Sequence, residues 1–166
     1  MLVVEDGTGL VGAQSYISAA ELQTYASLRG SDLSEYTESQ IEAAIYIAAN
    51  DFIDIFYSFK GDLVNPDQGL SLPTSEVDFS DTQTWRNIKE ANANGAILSL
   101  MDSLLVDTTE ESTSGKIKSE SSKLDVLEDS VEYFEGTSLS SKYPTPIIDR
   151  LLRPYTISGG VSLKVT

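Results

Sequence analysis

The sequence contains no cysteine and no histidine, and only one tryptophan. Disulfides, thiol nucleophiles and the catalytic triads or dyads that need Cys or His are therefore excluded. Zinc sites of the usual Cys/His type are excluded as well, although carboxylate sites for Ca²⁺ or Mg²⁺ remain open. Cations are also scarce: 11 Lys and Arg stand against 26 Asp and Glu in 166 residues, for a net charge of −15. Such a surface repels phosphate backbones and anionic lipid. A sequence-independent DNA binder draws its affinity from Lys and Arg that displace counterions, so this balance argues against that function. No long uncharged apolar run is present, because the most apolar stretch, 41–59, holds Glu42, Asp51 and Asp54. A membrane span is not expected. The N-terminus has no basic region ahead of an apolar core, and a soluble intracellular protein is the expectation.

What is present is enough apolar material for one globular domain, 40 % of residues. Ser18 and Glu21 form an S-x-x-E capping box ahead of "AAELQTYASLRG", with Gly30 as a stop. Thr37 and Gln40 do the same for "ESQIEAAIYIAANDFIDIFY". There Ile41, Ala44, Ile45, Ala48, Phe52, Ile55 and Phe56 make one face, which Ile47 and Ile53 widen; Gly61 is the expected end. A third helix is expected from about Thr82 to Leu105, with the small-residue cluster "EANANGAI" allowing a neighbouring helix to approach closely. Pro146 opens and Pro154 closes a short helix in "PTPIIDRLLRPY". The span 107–142 is polar and Ser-rich, with "GKIKSES" and "KLDVLEDSVEYFE" as weak strands, and Val161, Leu163 and Val165 alternate like a strand in the tail. The expected fold is mainly α: a small helical bundle with a short β-hairpin or extended arm and an extended C-terminal tail. One domain is expected, with a helical body at about 15–106, the polar arm at 107–142, and a terminal helix and tail at 143–166.

The stretch "GTGLVG" at 7–12 fits G-x-G-x-x-G, the spacing that cradles a pyrophosphate. That chemistry needs a helix starting on the last glycine and a second strand about 20 residues on. The helix instead starts near Ser18, and "RGSD" at 29–32 is a helix exit, so a glycine-bearing turn is the better reading. The acidic runs at 107–111 and 128–135 do not follow a calcium-loop pattern and read as solvated surface. Trp85, beside Arg86, could stack on bases together with Tyr25, Tyr46 and Tyr57, or could anchor a core or an interface; the anchor is the preferred reading. Lys116, Lys118 and Lys123 form a basic patch diluted by Glu120 and the acids that follow it.

"VVEDGTGLVGAQSYISAAELQTYASLRG" resembles the N-terminal signature of small tailed-phage proteins often labelled DnaT-like single-stranded DNA-binding proteins, which are similar to head–tail connectors. "AANDFID", "GLSLPTSEV" and "YPTPIIDRLLRPY" continue the resemblance in order over most of the chain, although Thr74 stands where a basic residue is usual. The resemblance implies a structural adaptor in the virion neck, assembled in the host cytoplasm as a ring, commonly of twelve copies, beneath a portal protein. Such a ring extends the channel for passing double-stranded DNA, does not bind it tightly, and gives tail proteins a docking platform. No catalysis, cofactor, metal or membrane is expected. The expected interface to portal or neighbour is Pro146, Ile147, Ile148, Leu151, Leu152, Arg153 and Tyr155, with Val161, Leu163 and Val165. Leu70, Leu72, Pro73 and Val77 are expected in a loop facing another subunit or the tail. The alternatives are a single-stranded DNA-binding module, opposed by charge and by the lack of an aromatic–basic groove in the sequence pattern, and a carboxylate-dependent hydrolase.

Overall fold

Two reciprocal capping boxes start the fold. Ser18 accepts from the Glu21 amide while Glu21 accepts from the Ser18 amide, opening α1 (Ala19–Leu28). Thr37 and Gln40 repeat the arrangement at α2 (Glu38–Tyr46). Each box satisfies two amides that a helix start otherwise leaves without partners. The computed structural model describes residues 1–101, 104–106, 117–121, 130–133, 140–141 and 145–157. The chain divides into two compact units, one formed by 1–104 with 141–166 and the other by 105–140.

In the first unit, α2 runs without a break into a π-helical segment, Ile47–Ile53, and then α3 (Asp54–Phe56). The long helix expected from the capping box is present, but it ends at Phe56, well before Gly61, because Tyr57 turns to an extended conformation. The π turn also changes which residues face inward. Its wider i→i+5 winding makes the later residues lag by roughly one residue's rotation, about 100°. Ile53 is consequently fully buried, whereas Ile55, expected on the apolar face, is 39 % exposed.

The central element is α4 (Thr82–Met101), packed against α1, α2, the π-helical segment and α5 (Pro146–Leu152). It ends earlier than the expected Leu105. Close approach occurs at Gly95, as the small-residue cluster suggests: a Cβ there would lie 2.9 Å from the Cβ of Ala48. Asn92, also buried, accepts from the Tyr16 amide and donates to the Ile45 carbonyl, both at 3.1 Å. It thus fixes the N-terminal segment and α2 to the same turn of α4. After α5, residues Arg153–Tyr155 form a 3₁₀ turn that contains Pro154.

The glycine-rich loop folds around a carboxylate of the chain itself. Glu5, 1 % exposed, accepts from the amides of Gly7, Gly9 and Leu10 at 2.8–2.9 Å. Gly7 and Gly9 have φ of +100° and +75°, the left-handed region that aims successive amides inward. The cradle is therefore filled from within. The connection 62–81 closes on this loop: Asn65 donates to the Gly9 carbonyl, and Gly69 lies against the Ala13 backbone, where a Cβ would sit 2.3 Å from an oxygen.

The second unit contains β1 (Leu105–Val106), β2 (Ile117–Ser121) and β3 (Ser130–Tyr133), and β4 (Ser140–Ser141) lies at its end. β2 and β3 pair antiparallel, Ile117 opposite Tyr133 and Ser121 opposite Ser130, with one irregularity between Ile117 and Ser119. The fold is thus mainly helical. The expected extended tail, 158–166, lies outside the described residues.

Candidate nucleic-acid interface

An open groove of about 510 Å³ runs between α1 and α4. Ile17, Ala20, Leu28 and Ala93 supply its apolar floor and edge, and Tyr25 and Trp85 its two aromatic walls. Helical spacing puts the aromatic and basic groups together. Trp85, Arg86 and Lys89 fall on one side of the first turns of α4, three and four residues apart, while Tyr25 and Arg29 lie one turn apart on α1.

Each group is held by a specific partner. Trp85 stacks on Phe79 with ring centroids 4.2 Å apart and planes inclined by 27°. Lys89 places its ammonium 4.6 Å from the centroid of the Trp85 ring. It also pairs with the Glu21 carboxylate at 2.5 Å. Arg29 covers Tyr25 at 4.6 Å, and the Tyr25 hydroxyl accepts from Asn94 at 2.7 Å. Arg86 donates to Glu90 one turn on, at 2.8 Å, an exposed pair of modest worth.

The titrating groups respond accordingly. Partial burial alone would raise the Glu21 carboxyl, but hydrogen bonds from Lys89 and from the Ser18 amide and hydroxyl outweigh it and hold Glu21 below its ordinary value. Burial pushes the Tyr25 hydroxyl up. The groove thus offers apolar and aromatic surface with two cations in its lining, both already paired with the chain's own carboxylates, and a third, Arg29, over the Tyr25 ring. Flat rings suit stacking of bases, and cations beside them suit phosphates.

Of the residues expected as interfaces, Ile148 and Leu152 are buried in the core, and Leu70, Leu72, Pro73 and Val77 are the inward-facing, buried residues of the 62–81 connection itself. Leu151 and Tyr155 are half-buried; Pro146, Ile147 and Arg153 are exposed. The apolar spacing of α5 thus reports in large part its packing on α4. Val161, Leu163 and Val165 lie outside the described residues, as do Lys116 and Lys123. Thr74, at the position where a basic residue is usual, is buried, donates to the Lys60 carbonyl and accepts from the Val77 amide.

The other stacking candidates separate: Tyr57 is buried and donates to Asp149, while Tyr46 is not among the groove residues. Asp54, in a second depression, accepts from the Tyr16 hydroxyl and the Ser71 amide, which ties it to the fold. Among the described residues no group of three carboxylates is placed to hold a metal ion, and no helix is long and apolar enough to cross a membrane. Sequence reasoning names Trp85, Arg86 and Tyr25 but not the groove, because Lys89 and Arg29 join them only through the packing of α1 on α4.

A family model described as "Putative DnaT-like ssDNA binding protein" matches residues 1–166. Comparison with the curated proteins and with the solved structures returned no match. The match corrects the expected function. Its description gives single-stranded DNA as the ligand, in place of the head-to-tail adaptor, the virion neck, the portal-bound ring and the tail partners that the resemblance implied. Net charge is a whole-surface average. It says nothing of distribution: Arg86 and Lys89 line one groove with two aromatic rings, and Arg29 covers one of those rings.

Proposed function

The chain belongs to this DnaT-like ssDNA-binding family, and from that premise we propose that it binds single-stranded DNA in the groove between α1 and α4. The observation that carries the reading is the convergence of Trp85 and Tyr25 with Arg29, Arg86 and Lys89. Bases stack on the rings and phosphates meet the cations at the edge. Phosphates replace Glu21 and Glu90 as partners of Lys89 and Arg86. Stacking on an aromatic face requires a base that is not already stacked on both sides, so single strands are preferred to duplex. The apolar lining holds few groups able to read base edges, so sequence preference is weak. Binding is the whole of the proposed activity, without turnover. The acidic remainder of the surface limits the footprint to the groove and keeps affinity low.

Trp85 is the sole tryptophan and sits in the groove, so its fluorescence reports the site directly. Titration with a dT oligonucleotide at low salt is expected to quench it, with a duplex of the same length much less effective. Three phosphate contacts give a slope of log K against log salt of about −2. Trp85→Ala, followed by anisotropy of a labelled oligonucleotide, weakens binding by about tenfold, the loss of one stacked base. Neither quenching nor retention of a single strand at low salt would overturn the reading.

A further inference from the structure

We propose that Glu21 is a built-in competitor for the groove, whose carboxylate holds Lys89 over Trp85 and thereby keeps both phosphate and base out until a strand displaces it. The inference rests on the reading of the groove given above and concerns its control. One face of Trp85 is taken by Phe79. The Lys89 ammonium lies against the ring at 4.6 Å, so the same side chain both covers the stacking surface and supplies a phosphate partner. Glu21 leaves two of the ammonium's three N–H donors open, but it already balances the charge of Lys89 at 2.5 Å, and a phosphate brought to that ammonium meets the carboxylate as a like charge.

Glu21 is itself not free to follow. Its second oxygen accepts from the Ser18 amide at 2.8 Å and the Ser18 hydroxyl at 3.0 Å, within the capping box of α1. A carboxylate so anchored imitates a phosphate at a fixed point of the groove wall. One residue thus both caps a helix and neutralises the cation that a ligand needs.

The same chain shows how to separate the two roles. At α2 the equivalent capping position is Gln40, whose amide oxygen accepts from the Thr37 amide and hydroxyl at 2.9 Å. Glu21→Gln therefore keeps the cap and turns an amide NH₂ toward Lys89, which releases the ammonium. Glu76→Gln, at an exposed site away from the groove, makes the same change in net charge and serves as the control.

The experiment follows full-length wild type, Glu21→Gln and Glu76→Gln with a labelled dT oligonucleotide, together with Trp85 emission of each protein free of DNA. Losing a partly exposed competitor tightens Glu21→Gln by about fivefold, with Glu76→Gln close to wild type. The DNA-free emission of Glu21→Gln moves toward that of Lys89→Met, in which no ammonium covers the ring. If wild type binds while Glu21→Gln binds no tighter than Glu76→Gln, or emits as wild type does, the competitor role is wrong and the groove reading stands. If no protein binds, the groove reading fails and this inference with it.

Discussion

Glu5 is the residue on which the N-terminal loop depends. Three backbone amides converge on its buried carboxylate, and charge-assisted hydrogen bonds of this kind are about twice as strong as neutral ones. Glu5→Ala leaves those amides without partners, and a loss of about 3 kcal/mol is expected in urea unfolding. Gly9→Ala costs about 1–2 kcal/mol, since its φ is left-handed and the added Cβ would meet Gln68 at 2.8 Å. The glycine spacing is visible in the sequence, and its unsuitability for a pyrophosphate follows from the late helix start. That Glu5 fills the cradle is not visible there, because an acid two residues before a glycine is indistinguishable from a solvated one. Two tyrosines give the fold a pH limit. Burial, and then the facing Asp54, push Tyr16 well above the ordinary tyrosine value. Burial, and then Asp149, do the same at Tyr57. As pH rises through about 10 the unfolded chain ionises while the folded chain keeps its protons. This contribution is complete below that pH and is lost above it, toward the raised folded values. Denaturation midpoints should therefore fall at alkaline pH, less steeply in Tyr16→Phe and Tyr57→Phe.

At the scale of elements, capping chemistry is the most legible signal. Both S/T-x-x-E/Q boxes form, and α1, α2 and α5 start where their N-terminal residues require. The π-helical segment is not legible, since a period of 3.6 fits Ile41 to Phe56 well enough to hide the change of phase. Ile55 and Ile53 are where the difference shows. The contact of Gly95 with Ala48 yields an element-scale prediction. Gly95→Val adds bulk where a single Cβ already falls at 2.9 Å, so α4 must move from the π-helical segment. A loss of about 2 kcal/mol is expected, in the range for overpacked cores, with a lowered Tm as the readout. Alanine at exposed Ser39, on α2, is close to neutral by comparison.

For the whole molecule, charge acts in two opposed ways. A net charge of −15 repels itself in the folded state, and salt screens that repulsion. The proposed capture of a strand depends on attraction between the groove cations and phosphate, and salt screens that too. Added NaCl should therefore raise the Tm while it weakens capture of the oligonucleotide. A parallel response in both would show that the groove cations are not the contact. Composition hides the groove at this scale, since it averages over the surface. Tyr25, which Arg29 covers, precedes Lys89 by 64 positions, and only the packing of α1 on α4 brings it into one groove with Lys89 and Arg86.

The tight seam at Gly95 has one more consequence. The close contact of α4 with the π-helical segment at Gly95 leaves the wall that bears Trp85 and Lys89 little room to shift. Widening of the cleft is therefore expected at α1, which side-chain ties such as Lys89 to Glu21 and Asn94 to Tyr25 hold to α4. Deuterium uptake should therefore be faster along Leu22–Leu28 than along Ile88–Gly95, and a bound strand should slow it chiefly along α1.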